Sequence, residues 1–150
     1  IPSIYYGTEL LYSALDDHGA MRQDFAGGWP SDPISGFTGQ GLAPDQKEAQ
    51  AYLRQLGALR AAHTLIGTGS FMQFTPDMGS FAYAWYSDSE VILVLANGDE
   101  VLRTWPVERF AELGLKPGTS VSDLLEGGGF TAEARLDFAS KGIRVLKFNR

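Results

Sequence analysis

The sequence predicts a mainly β chain with α. One β-loop-α unit spans residues 1–66 and an antiparallel β-sandwich spans residues 67–150. Three observations predict this. The apolar period is 3.6 over Pro44 to Ala62 and changes to 2 from Ser70 onward. Short apolar runs then recur with turn residues about every 8–12 positions, the pattern of an antiparallel sandwich. Residues 1–66 hold one strand-like run and one helix, too little to bury a core alone, whereas the later residues can form their own.

Ile1, Ile4, Tyr5 and Tyr6 form a short apolar run between Pro2 and Gly7. Such a run suits a strand buried on both faces, as in a parallel sheet. Thr8 and Glu9 follow it, at the end where α/β folds place their chemistry. Leu11 to Leu15 predicts a short helical turn. Asp16 to Ala43 has little periodicity, and a loop this long in a compact domain is usually functional. Pro44 to Ala62 predicts a helix, with Pro44 at its first position and Asp45 and Glu48 near its positive end. Ala49, Tyr52, Leu53, Leu56, Leu59 and His63 make its apolar stripe, opposite Lys47, Gln50 and Arg54. Gly57 inside it marks an expected close approach to a neighbour.

Strands are predicted at Phe71–Phe74, Phe81–Trp85 and Val91–Ala96, with a turn at Pro76–Gly79. Asn97-Gly98 signals a hairpin whose return strand is Val101–Trp105. A helical turn at Val107–Leu113 leads to strands at Ser120–Leu125, Phe130–Ala134 and Ile143–Phe148, six or seven in all. The alternating Phe81, Tyr83 and Trp85 are expected in the sandwich core.

Composition narrows the function. Twelve basic and 18 acidic side chains give a net charge of −6. Residues 1–66 carry 4 basic and 7 acidic groups and residues 67–150 carry 8 and 11, so both parts stand at −3. With no basic tract, phosphate neutralisation has no basis and no nucleic-acid partner is expected. The chain has no cysteine, which removes disulfides and thiolate chemistry. That fits the cytoplasm and equally a periplasmic protein without bridges. No apolar run approaches the roughly 18 residues of a spanning helix, so no membrane partner is expected. Gly127-Gly128-Gly129 lacks the strand-to-helix setting of a phosphate loop, and no cofactor is expected. His18 has no second His or Cys at ligand spacing, so no metal is expected.

The run I-P-S-I-Y-Y-G-T-E resembles the eighth barrel strand of the α-amylase superfamily (glycoside hydrolase family 13), whose motif is G-x-P-x-I-Y-Y-G-x-E. Pro2, Ile4, Tyr5, Tyr6, Gly7 and Glu9 match, and the leading Gly would precede Ile1. The stretch M-R-Q-D-F-A-G-G-W-P, Met21 to Pro30, resembles the corresponding loop of neopullulanase and cyclomaltodextrinase-type members. Leu56, Leu59, Arg60 and His63 resemble the end of the family's eighth helix. The similarity runs from Ile1 to about Ala96, in the family's order of strand, loop, helix and β-domain.

The resemblance implies the last β-loop-α unit of a (β/α)8 barrel followed by the C-terminal sandwich of an α-glucan hydrolase. It also implies that the nucleophile Asp, acid/base Glu and stabilising Asp lie on strands four, five and seven, upstream of Ile1. Retaining glycosidases need two carboxyl groups about 5–5.5 Å apart, and no position here matches them. No catalytic residue is therefore expected, and the chain alone is expected to be inert. For the parent enzyme a periplasmic or secreted location is favoured.

In similar enzymes charged residues of the loop meet glucose hydroxyls. Arg22 and Asp24, and more loosely Asp17, are the candidates, with a local salt bridge as the alternative role for Arg22 and Asp24. Trp29 and Phe25 could stack on a sugar ring or anchor the loop. Glu9 and Tyr6 are expected to support the cleft wall. The expected partners are an α-glucan oligosaccharide and the remainder of the barrel. Without that remainder, self-association is expected. The competing reading is a free-standing β-sandwich that binds carbohydrate or protein. An exposed row of Phe81, Tyr83 and Trp85 would favour carbohydrate binding, and their burial would count against it.

Overall fold

The structure, a computed structural model, describes residues 3–14, 18–19 and 22–150. The chain divides into two compact units, Ile1–Ala58 and Leu59–Arg150.

In the first unit the described part of the opening run makes no strand. Ile4 and Tyr5 are 64% and 62% exposed, and Tyr6 is exposed too. A parallel strand bonds to a neighbour on each side, and no strand is present among the described residues of this unit. A single 3-10 turn follows at Thr8–Leu10, with Gly7 at φ 83° and Leu11 at φ 56°. A Cβ on Gly7 would fall 2.3 Å from the Tyr12 ring, so the turn needs glycine there. The helical turn expected over Leu11–Leu15 is absent in its described part, Leu11–Ala14.

Helix α1, Pro44–Ala62, forms as the stripe predicts. Its burial does not follow the stripe. Ala49, Leu53 and Leu56 are half-buried and Tyr52 is exposed, while the one buried side chain of the helix is Gln50, from the side expected to be polar. A Cβ at Gly57 would meet nothing within 4 Å, so the expected close approach is not made.

The second unit is mostly antiparallel sheet. Its strands are β1 (Ser70–Asp77), β2 (Ser80–Tyr86), β3 (Glu90–Asn97), β4 (Arg103–Pro106), β5 (Ser120–Asp123), β6 (Gly129–Thr131), β7 (Arg135–Phe138) and β8 (Ile143–Asn149). Six of them form one sheet in the order β1-β2-β3-β8-β5-β6, and β4 pairs with β7 in a separate ribbon. Met78 and Gly79, both at positive φ, connect β1 to β2 in a primed two-residue turn. The register slips between Phe74 and Asp77, where Pro76 has no N–H to give a ladder.

The main core lies between the six-stranded sheet and a second layer. Ala82, Ala84, Val91, Leu93, Leu95, Val121, Leu146 and Phe148 face inward from the sheet. Trp105, Leu136 and Phe138 of the ribbon and Val107, Phe110 and Leu113 of the 3-10 segment Val107–Leu113 meet them. The opposite face of the sheet carries a smaller cluster of Leu65, Ile92, Val94 and Val145, with Leu59, Ile66, Tyr83 and Trp85 packed on it. Strand β3 is therefore apolar on both faces, which explains its unbroken run Val91–Leu95.

Two expectations are corrected here. Asn97-Gly98 does not turn a hairpin, because β3 pairs with β2 and β8 while the chain crosses to the ribbon as β4. The local Asn-Gly preference is overridden by Trp105, whose burial requires the second layer. Phe81, Tyr83 and Trp85 do not enter the main core. Strand alternation sends Ala82 and Ala84 inward instead, and the three aromatics sit half-buried on the other face.

Candidate functional site

The candidate residues lie in the loop of the first unit, which is organised from within. Leu10, 1% exposed, and Leu42 form its apolar floor. Phe25 packs on Tyr12 and Phe37, with ring centroids 6.4 and 5.0 Å away. The Tyr12 hydroxyl accepts from the Ala26 N–H at 2.9 Å. The Asp32 carboxylate accepts from the N–H groups of Gly27 and Trp29 at 2.9 and 3.1 Å. Gly36 is buried where a Cβ would fall within 2.9 Å of Phe25 and Leu10.

Helix α1 holds this loop by two glutamines. Gln46 donates to the Leu10 carbonyl at 2.9 Å and accepts from the Ala43 N–H at 3.0 Å. Gln50 donates to the Gly36 carbonyl at 2.7 Å, and Arg54 donates to the Gln50 oxygen at 3.2 Å. The buried Gln50 amide needs partners on both ends, and these two bonds supply them. Sequence reading missed both glutamines. The Ala43 to Gln46 spacing of a capping box was a usable signal for one, while no local signal marked Gln50.

On this frame the structure brings together Tyr6, Arg22, Asp24 and Trp29. The Tyr6 hydroxyl donates to the Gln23 carbonyl at 3.3 Å. The Trp29 indole N–H donates to Asp24 at 3.4 Å, and the Trp29 ring is 63% exposed. Arg22 and Asp24 are exposed, and among the described residues they form no ion pair with each other. Lost hydration raises the Tyr6 phenol above its ordinary pKa. Tyr5 reinforces the shift by charge and hydrogen bonding, Asp24 adds to it and Arg22 opposes it. Phe25 anchors the loop, as its ring contacts require. Asp17 lies outside the described residues.

Glu9 is half-buried and lines a groove of about 390 Å³ with Ile4, Tyr5, Tyr6, Leu53 and Arg54. The cluster thus offers a guanidinium, a carboxylate and an open aromatic face. That set can grip vicinal hydroxyls and cover a sugar ring. Among the described residues no group of three or more His, Cys, Asp or Glu could hold a metal ion. Among them too, no helix is long and apolar enough to cross a membrane.

In the second unit an aromatic row crosses β1 and β2. Phe71, Tyr83 and Trp85 contact one another at 5.3–5.9 Å, and Phe81 meets Tyr83 at 5.6 Å. Their planes are tilted by 38–84°, so the rings lean on each other and present no coplanar platform.

Solved α-amylases share this fold. The α-amylase of Anoxybacillus superposes on 97% of this chain with a TM-score of 0.67 at 18% identity. That of Geobacillus thermoleovorans, solved with acarbose, superposes on 97% with a TM-score of 0.68 at 16% identity. AmyP, solved with maltose, covers 73% with a TM-score of 0.60 at 18% identity. This chain spans 28%, 29% and 22% of their respective lengths. Residues 71–147 match the family model of the cyclo-malto-dextrinase C-terminal domain, and the chain belongs to that family. The resemblance to the C-terminal part of an α-amylase-family enzyme is thereby borne out.

Proposed function

We propose that this chain is the C-terminal part of an α-glucan hydrolase and is not catalytic alone. Residues 1–66 are the last β-loop-α unit of its (β/α)8 barrel, and residues 67–150 are a stabilising β-domain. Ile4 to Tyr6 become the closing strand once the neighbouring barrel strands supply hydrogen-bond partners. Their exposure here is that of a strand without a sheet. Arg22, Asp24 and Trp29 form one wall of the sugar cleft, with Asp17 at its edge, and Glu9 and Tyr6 support it from behind. The parent reaction is retaining hydrolysis of α-glucosidic bonds on starch-type or cyclic maltodextrins, as in neopullulanase-like enzymes.

The observation that carries this reading is the superposition of two α-amylases on 97% of the chain, which takes in the loop-helix unit as well as the β-domain. A free-standing carbohydrate-binding module fits less well, because the aromatic row is packed and tilted.

The test uses the parent enzyme with its upstream sequence. Arg22→Ala should lower kcat/KM on maltodextrin by about tenfold or more, the loss of a charged hydrogen bond. An unchanged kcat/KM would overturn the wall assignment. Glucose or maltose released by the pure 150-residue chain would overturn its inertness.

A further inference from the structure

We propose that Asn97-Gly98 is a deamidation site which the folded β-domain holds closed, and that its conversion locks an opened domain out of the native state. The sequence motif is not used as a hairpin, and the structure gives it another role. Asn97 ends β3 and is 3% exposed. Its amide nitrogen donates to the Val101 carbonyl at 2.8 Å and to the Ala139 carbonyl at 2.9 Å. Its amide oxygen accepts from the Asp99 N–H at 3.0 Å. One side chain thus joins β3, the crossing that leads to β4 and the turn between β7 and β8.

The reaction needs the Gly98 nitrogen to reach Asn97 Cγ. Glycine has no side chain to hinder that approach, and its backbone is free to adopt it. In the folded domain both groups are engaged elsewhere. The Gly98 N–H donates to the Gly79 carbonyl at 3.0 Å, and the Asn97 amide that carries Cγ is held by Val101, Ala139 and Asp99. Opening of the crossing frees them, and its exposed Val101 and Leu102 make it a candidate for local opening. The Gly98 nitrogen then bonds to Cγ, the Cγ–Nδ2 bond breaks, and ammonia leaves with the amide proton. Water opens the cyclic imide at either carbonyl, giving aspartate or isoaspartate.

The product cannot rebuild the clamp. A carboxylate has no N–H for the Val101 and Ala139 carbonyls, and its charge would be buried against two acceptors. Conversion therefore turns a reversible opening into a permanent one.

A synthetic peptide spanning residues 94–102 serves as the reference, because Asn149 is itself held in β8 and the Arg150 N–H after it donates to the Ser89 carbonyl. Chain and peptide are incubated in mildly alkaline buffer with and without denaturing urea, and conversion at Asn97 is read by mass spectrometry. Relative to the peptide, Asn97 of the chain should convert at least about tenfold faster in urea than in buffer, as expected for a site reached through opening. Equal relative rates would overturn the proposal. Asn97→Asp should show a lower urea midpoint than the unmodified chain or fail to refold. A variant with an unchanged midpoint would overturn the lock.

Discussion

At the scale of single residues, the β-domain is tied by ion pairs that hydrophobic period and turn signals do not mark. Asp99 is the clearest. The Arg103 guanidinium hydrogen-bonded to it, helped by the Glu100 N–H, holds its carboxyl below the usual range. A depressed folded-state pKa stabilises the fold above the unfolded value, about 3.9 for aspartate, and that contribution fades as pH falls through the folded value. Asp99→Asn should therefore lower the melting temperature near neutrality and leave it closer to the unmodified chain below about pH 3.9. Melting curves across that window check it, and a deficit that persists unchanged at acid pH would remove the ion pair as its cause. Buried Asp123, paired with Arg144 at 3.0 Å, is a second ion pair of the β-domain. Neither tie was legible in the sequence. Asp123 and Arg144 meet only because β5 lies beside β8.

At the scale of elements, period and breakers were informative and partner choice was not. Helix α1, strands β1–β3 and β8 and the turn at Val107–Leu113 follow from spacing, since both periods come from local backbone geometry. The short β7 was missed, because Arg135–Phe138 has only two apolar positions and its identity depends on pairing with β4. The 3-10 segment closes the main core through Phe110, which is fully buried and meets Phe74 edge-on at 5.0 Å. Phe110→Ala should cost about 3–5 kcal/mol by transfer and cavity terms, measured as a shift in the urea midpoint at unchanged m-value. In α1, Gly57 has open space where a Cβ would stand. Gly57→Ala should raise helix stability by up to about 1 kcal/mol. Thermal melting followed by circular dichroism at helical wavelengths reads it, and a fall in stability would mean that the space is occupied.

At the scale of the whole molecule, the two units differ in how completely they bury themselves. The β-domain encloses a core of large side chains, several with no exposed area. The first unit leaves Ile4, Tyr5, Tyr6, Leu11, Trp29 and Phe37 exposed, an apolar surface that favours association. Sedimentation of the isolated chain should accordingly show concentration-dependent oligomers, and Ile4→Lys with Tyr5→Lys should shift the distribution toward monomer. A monomer at every concentration would refute the expectation.

Sequence alone determined the class of the chain, the long helix, most strands and the resemblance that places it beside the α-amylases. Each of these rests on local periodicity or on a contiguous motif. Tertiary structure alone decided that Ala82 and Ala84 face the main core while Tyr83 and Trp85 do not, that Gln50 is the helix's buried side chain, and that Asn97 clamps where it was expected to turn. The physical reason is the same in all three. Which face is buried, and which polar group needs a partner, depends on what lies across the core, and no spacing along the chain records it.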